Sequence, residues 1–131
     1  MSDRLSSLCP CGSGETLANC CQGVIENRSA PTAEALMRSR YTAFVMGNAD
    51  YLLATWHPGK RPKSLELDDN QRWLGLRIKR TEQGQAGDDA GIVEFVARYK
   101  IAGKGHRLHE ISRFSRVNGQ WFYVDGEFPQ N

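Results

Sequence analysis

The chain has 131 residues, which fits one ordinary domain with a single hydrophobic core. Hydrophobic residues make up 40% and charged residues 24% of it, close to the averages of soluble globular proteins, and this argues against disordered and fibrous classes. Seventeen Lys and Arg against fifteen Asp and Glu leave a net charge of +2, far from the dense basic surface typical of nucleic-acid-binding domains. No apolar run approaches the roughly 18 residues of a membrane span, and the first residues lack the core of a signal peptide, so we expect a cytoplasmic protein with no membrane partner.

The chain begins with a cysteine-rich segment, and we expect a first module over residues 1–23. All four cysteines lie in it, at Cys9, Cys11, Cys20 and Cys21. In a reducing compartment such clustered thiols are kept from pairing as disulfides. A segment this short cannot bury enough apolar surface to fold alone, whereas four thiolates around one tetrahedral Zn²⁺ would give it a core. We therefore predict one structural zinc ion held by these four cysteines.

Two other uses of the cysteines remain open: disulfide formation or redox switching, and a catalytic metal. Four protein ligands would close the coordination sphere, whereas a hydrolytic zinc keeps a position for water, so structural zinc is favoured. The residues do not separate zinc from iron. Gly12 and Gly14 permit a tight backbone path that points N–H groups at sulfur, and cations such as Arg4 or Arg28 are candidates to offset the negative charge of the thiolates.

The second domain is predicted over residues 24–131 and begins with a polar connector, residues 24–31, followed by helices. A helix is predicted over residues 32–46, because Thr32 suits its N-cap, apolar residues recur at helical spacing and Gly47 follows as a stop. A shorter helix begins after Asn48 or Asp50 and ends before Pro58. We interpret Arg38 and Arg40 on the first helix as part of a solvated face rather than an anion site.

Four strands follow the helices. Their predicted ranges are residues 72–81, 92–99, 106–116 and 121–125. The second is rich in β-branched and aromatic residues, and Asn118-Gly119 is a strong two-residue hairpin signal before the fourth. Helices first and strands last predict an α+β fold, in which an antiparallel sheet is packed on one face by helices.

The cysteine spacing resembles a known motif. Cys9-Pro10-Cys11-Gly12-Ser13-Gly14 followed by Cys20-Cys21 closely resembles the SEC-C motif. Further segments are similar to the bacterial YchJ-like family of SEC-C proteins, among them Thr55-Trp56-His57-Pro58, Trp73-Leu74-Gly75-Leu76 and the run from Gly119 to Gly126. The resemblance implies an N-terminal SEC-C zinc module plus an NTF2-like cone, in which a curved antiparallel sheet and helices enclose a pocket.

Residues of the third strand suggest what such a pocket contains. If that strand is regular, Glu110 and Ser112 face one side of the sheet, and His109 and Arg113 face the other. The candidate pocket residues are Trp56, Tyr99, His109, Glu110, Arg113, Trp121 and Tyr123. The alternative is an ordinary core with a Glu–Arg salt bridge across strands, and a lone histidine is more often a hydrogen-bonded structural residue.

Two functions remain open from the sequence. The first, which the sequence favours, is a protein-interaction or adaptor role through the zinc module, since the similar module of SecA contacts the chaperone SecB and the ribosome. The second is a small-molecule-binding or enzymatic pocket, for which we predict no catalytic residue. The near-neutral charge disfavours nucleic acid, although Lys60, Arg61 and Lys63 form a local basic patch.

Overall fold

The computed structural model describes residues 6–129. Its elements in chain order are a short 3-10 turn at Leu17–Asn19, helices α1 at Cys21–Asn27, α2 at Ala33–Met46 and α3 at Ala49–Ala54, and strands β1 at Gln71–Gln83, β2 at Ala90–Ile101, β3 at Lys104–Val117 and β4 at Gln120–Glu127. The strands form one antiparallel sheet in the order β1-β2-β3-β4. The predicted α+β class is therefore confirmed. Within residues 6–129, no helix has the length and apolar character needed to cross a membrane.

Local capping signals determine where α2 and α3 begin. The Thr32 side chain accepts a 3.0 Å hydrogen bond from the backbone N–H of Ala35 at the start of α2. Gly47 ends this helix in the left-handed conformation, with φ of 73°. The Asn48 side chain then accepts from the N–H of Tyr51 and starts α3. The chain therefore turns within two residues, and α3 packs back against α2.

Helix α1 is the element that the sequence interpretation missed. Residues 24–31 were expected to be a polar connector, but the first half of this range is helical; the helix ends at Asn27, and Arg28 follows it with φ of 48°. Ile25 on α1 packs against both the cysteine cluster and the apolar cluster that contains Leu52. A single apolar residue with two distant partners leaves no periodic signal, which explains the miss.

The main core lies between α2 and one face of the sheet, which we call the inner face. Its buried members are Ala33, Leu36, Met37 and Tyr41 from α2 and Val93, Phe95, Ala97, Phe114 and Trp121 from the strands. Each large apolar side chain buried here contributes roughly 1.5–3 kcal/mol to the free energy of unfolding. On β3 the alternation places Glu110 and Ser112 on the inner face, and the sequence predicted that these two side chains share one face.

Three irregularities bend the sheet around α2. Strand β1 has register shifts between Trp73 and Gly75 and between Ile78 and Arg80. Strand β4 is shifted against β3 next to Phe114. Bulges of this kind increase the local twist and bend of a strand. The resulting curvature leaves the inner face concave, with space between α2 and the sheet.

Candidate metal centre and inner cavity

The four cysteines converge on one point. Their sulfur atoms all lie within 4.8 Å of one another, with 3.6 Å between Cys11 Sγ and Cys20 Sγ and 3.9 Å between Cys20 Sγ and Cys21 Sγ. Sulfur atoms around a tetrahedral zinc with bonds of about 2.3 Å lie about 3.8 Å apart, whereas those of a disulfide lie about 2.05 Å apart. All four cysteines are free. The cluster could therefore hold one four-coordinate metal ion.

Short-range backbone pairing shapes the cysteine turn. Leu8 and Thr16 form an isolated antiparallel bridge, and the N–H of Cys9 donates to the carbonyl of Glu15 at 2.8 Å. Gly12 has a φ of 82°, a conformation in which a side chain would be strained. These contacts close the loop that carries the first two cysteines, while the second two lie at the start of α1.

Polar groups surround the sulfur atoms. Ser13 Oγ lies 3.1 Å from Cys20 Sγ, and Thr42 Oγ1 lies 3.6 Å from Cys9 Sγ. A hydrogen bond from the Cys21 thiol lowers the pKa of Cys11 to about 4. The arrangement therefore favours the thiolate form of Cys11, and the thiolate is the form of cysteine that binds metals.

Arg38 is the cation next to the cysteine turn. Its Nη1 donates a 2.7 Å hydrogen bond to the carbonyl of Cys11, and its Nε donates to Glu34 Oε2 at 2.9 Å. The sequence pointed to Arg4, which lies outside the described residues, and to Arg28, which follows the end of α1. Helix α2 thus holds the cysteine turn through a charged side chain.

The cysteine module packs directly on the larger domain. Leu17 is buried together with the cysteines, and Ile25 and Leu76 pack against this cluster. An added Cβ on Gly12 would lie 3.4 Å from the carbonyl oxygen of Leu76 on β1. The module therefore shares its core with α1 and β1.

A cavity of about 290 Å³ lies between α2 and the inner face of the sheet. Its walls are mainly apolar, and its lining residues are Met37, Arg40, Tyr41, Phe44, Trp56, Gln71, Trp73, Phe95, Ala97, Leu108, Glu110, Ser112 and Tyr123. Mostly apolar walls with a few polar groups are typical of small-molecule sites, and the volume is at the lower end of their range.

Arg40 is the most buried charge in this cavity wall, with 4% of its surface exposed. Its Nη1 donates 2.7 Å hydrogen bonds to the carbonyl of Leu52 and to Thr55 Oγ1. The guanidinium carbon lies 4.8 Å from the ring centre of Tyr123 and 5.5 Å from that of Trp56, within cation–π range. Burial lowers the pKa of Arg40 to about 10, so it remains charged at neutral pH. The expectation of a solvated face is therefore wrong for Arg40.

Glu110 is a second buried ionisable group in the wall, with 7% of its surface exposed. It accepts hydrogen bonds from Ser112 Oγ at 2.9 Å and from the Tyr123 hydroxyl at 2.7 Å. Burial raises the pKa of Tyr123, which keeps the phenol protonated and able to donate. A side chain on Gly126 would overlap the Glu110 carboxylate, so β4 closes over this group.

Three of the seven candidate pocket residues line the cavity: Trp56, Glu110 and Tyr123. None of the seven candidates lies on α2, which forms the wall of the cavity that contains Arg40. The sequence contained one sign of this wall, the arginines Arg38 and Arg40 on α2, and we interpreted them as part of a solvated face.

The other four candidates lie outside the cavity. Trp121 is buried in the core beside it, with 2% of its surface exposed. Tyr99 stacks on His106, with 5.0 Å between the ring centres. His109 and Arg113 lie on the opposite, outer face of the sheet, as the alternation of β3 requires.

Both of these outer-face candidates, His109 and Arg113, have an acidic partner. His109 Nε2 lies 2.7 Å from Glu94 Oε2, and Arg113 forms a two-bond ion pair with Asp125. On the described part of the chain, the group of residues able to hold a metal contains cysteines and no histidine. These contacts give His109 and Arg113 structural roles in the sheet.

Sequence comparison places the chain among known proteins. The family described as "YchJ, middle NTF2-like domain" matches residues 32–126, and the SEC-C motif matches residues 6–23. The chain is 54% identical over 123 residues to a UPF0225 protein of Chromobacterium violaceum, covering 90% of each chain. It is also 54% identical over 121 residues to a UPF0225 protein of Streptomyces coelicolor, covering 92% of this chain and 94% of the relative.

Two solved structures are similar in fold. The solution structure of a SEC-C motif containing protein from Rhodopseudomonas palustris has a TM-score of 0.80 and 34% identity, and the match covers 93% of this chain and 98% of that one. The crystal structure of a SEC-C motif containing protein from Psychrobacter arcticus has a TM-score of 0.78 at 23% identity, over 99% of this chain and 87% of that one. The fold expected from the resemblance is confirmed.

Proposed function

We propose that this chain, which belongs to the YchJ family and carries a SEC-C motif, is a metal-stabilised binding protein. Its inner cavity takes a small, largely apolar molecule with one polar end. The cavity between α2 and the sheet is the observation that carries this proposal. The proposal concerns binding, and it assigns no reaction to the cavity.

The polar groups of the cavity wall suggest how a ligand would be oriented. Arg40 offers a positive charge, whereas Glu110 offers a carboxylate that already accepts two hydrogen bonds. Mainly apolar side chains form the rest of the wall, including Tyr41, Phe44 and Trp73. An apolar body would lie against these rings, and a polar end that accepts hydrogen bonds would lie near Arg40.

A matched series of small probes tests this proposal. Benzoate, benzyl alcohol, benzylamine and toluene share one ring and differ only in the polar end. We expect benzoate or benzyl alcohol at millimolar concentration to shift the amide NMR signals of cavity residues such as Ala97 and Leu108, and benzylamine to shift them least. A chain in which no probe shifts these signals would contradict the proposal.

A cavity-filling variant provides the control. Ala97→Trp places a large ring in the space that a ligand would need, and we expect it to abolish the probe-induced shifts. Val117→Trp adds the same ring at a position that is 42% exposed and does not line the cavity, and we expect it to bind the probes like the unmodified chain. Equal loss of the probe-induced shifts in both variants would count against binding in the cavity.

We propose that the ion held by the four cysteines is zinc and that its role is structural. The sulfur separations near those of a tetrahedral thiolate site support this proposal. Elemental analysis of the purified protein, with thiol titration before and after chelation, tests it. We expect about one zinc per chain, and iron or no metal in protein purified under reducing conditions would contradict it.

A second candidate function is docking of another protein through the cysteine module. A groove lined by Leu8, Pro10, Leu17, Val45 and Met46, together with Ser7, supports it. Leu8 and Val45 are 71% and 40% exposed. A pulldown that compares the unmodified chain with a Leu8→Lys, Val45→Lys variant tests this role, with Val117→Lys as a control. Identical sets of captured proteins would contradict it.

A further inference from the structure

The outer face of the sheet carries a groove lined by cations. Its lining residues are Gly75, Leu76, Arg77, Lys79, Val96, Arg98 and Arg107. Four of these residues are cations, and none is acidic. None of the four takes part in a side-chain hydrogen bond or ion pair with residues 6–129, whereas Arg80 and Arg113 on the same face are both paired.

Strand register places like charges directly opposite each other in this region. Arg98 on β2 is the register partner of Arg107 on β3, and Arg72 on β1 is the partner of Lys100 on β2. Like charges in directly opposed positions destabilise a sheet. The outer face therefore carries two neighbouring pairs of mutually repelling cations, although neither pair contributes to the core.

The floor of the groove is apolar. Val96 lies on the outer face but is only 6% exposed; its register partners are Arg77 on β1 and His109 on β3, and long side chains such as Arg77 can cover an apolar neighbour with their aliphatic stems. The charged ends of those side chains consequently lie at the surface. Arginine presents several donors in a planar fork that matches the two oxygens of a carboxylate.

The extent of the patch limits what it can bind. From Lys100 to Val96 the patch extends roughly 13 Å along β2, and three neighbouring strands span roughly 10 Å. Beyond Val96 the next residue on this face is Glu94, which is held by Arg80 and His109. A long polyanion would meet this carboxylate, whereas about four residues of extended acidic peptide fit the patch. No aromatic residue lines the groove to stack on nucleic-acid bases.

From these observations we propose that the outer-face groove is a docking site for an acidic polypeptide segment, whose carboxylates pair with Arg77, Arg98 and Arg107. The occupant is an extended stretch rich in Glu or Asp on a partner protein. This site is on the opposite side of the sheet from the inner cavity and does not depend on the function proposed for that cavity.

Fluorescence anisotropy with a short, fluorescein-labelled, Glu-rich peptide tests the proposal on the full chain. We expect saturable binding that weakens as salt is added, and no binding of the Gln-substituted peptide. Single-stranded and duplex oligonucleotides of equal charge serve as competitors. Failure of the Glu-rich peptide to bind, or tighter binding of an oligonucleotide through the same arginines, would overturn the proposal.

Charge-matched variants locate the site. Arg98→Gln with Arg107→Gln removes two groove cations, and we expect peptide binding to weaken roughly tenfold or more. Lys60→Gln with Lys63→Gln removes the same charge outside the groove, and we expect a much smaller effect. Equal weakening in both variants would show attraction by net charge alone and would overturn the proposal.

Stability measurements separate docking from a structural role. Since the arginine pair is unfavourable in the sheet, its removal should leave the thermal midpoint unchanged or raise it. If the thermal midpoint of that variant falls, a second variant, Arg77→Gln with Lys79→Gln on β1, separates peptide docking from a structural role. Loss of peptide binding in that folded variant supports the site, and unchanged binding contradicts it.

Discussion

Arg38 Nη1 lies 2.7 Å from the carbonyl oxygen of Cys11 and donates a hydrogen bond to it. This bond joins the second helix of the larger domain to the loop that carries two of the four cysteines. The same side chain is fixed by an ion pair with Glu34, one helical turn earlier. The position of the loop therefore depends on a residue that binds no metal itself.

Arg38→Gln is expected to weaken zinc binding. Removing a residue that orients a metal-binding loop typically costs about 10–100-fold in affinity, and competition with a chromophoric zinc chelator measures this loss. Glu34→Gln is the matched control, because it removes the ion pair and leaves the bond to Cys11. Equal affinity of the two variants would refute the role given to Arg38.

Chelation is expected to destabilise the larger domain as well as the cysteine module. Leu76 and Ile25 pack against the cysteine cluster, so loss of the module removes part of their burial. Calorimetry with and without a chelator should show a single main transition that moves to lower temperature and returns when zinc is restored. A main transition that stays in place would mean that the module folds independently.

Gly126→Ala is expected to lower the free energy of unfolding by about 1–3 kcal/mol. The added methyl group would overlap the Glu110 carboxylate, which is held in place by its bonds to Ser112 and Tyr123. Gly105→Ala on β3 is the control, because its added Cβ meets nothing within 4 Å. Urea unfolding measures both, and similar values for the two would count against a rigid Glu110.

Glu94 gives the sheet an acid-sensitive contact. Hydrogen bonds from His109 and then Arg80 hold the pKa of Glu94 below its ordinary value. A carboxyl whose pKa is lower in the folded chain stabilises that chain above its unfolded pKa, and the contribution is lost as the pH falls through the folded pKa. We expect Glu94→Gln to flatten the acid side of the stability curve measured by urea unfolding. Glu66→Gln, at an exposed loop position, should leave the curve unchanged.

Features with short-range causes could be predicted from the sequence. Thr32 and Gly47 bound α2 through bonds to residues within a few positions, and the cysteine spacing alone identified the metal-binding motif. Alternation along β3 correctly placed Glu110 and Ser112 on one face of the sheet and His109 and Arg113 on the other, because β3 pairs with β2 without a register shift. In each case the physical cause lies in neighbouring residues.

Features with distant causes could not be predicted in this way. Arg40 is buried because Leu52, Thr55 and the Tyr123 ring surround it, and helical periodicity contains none of that information. Helix α1 depends on Ile25 packing between two clusters that form only in the folded chain. The sequence therefore failed to predict the α2 wall of the cavity and helix α1 for the same reason: both depend on long-range packing.

The contact between the cysteine turn and Leu76 has a consequence for self-association. Strand β1 is at an edge of the sheet, and an uncovered edge is a template for pairing with another chain. The turn lies against the carbonyl of Leu76 on this strand. An ion that keeps the turn folded therefore also keeps the edge covered at Leu76, so we expect loss of that ion to increase the tendency of the protein to aggregate.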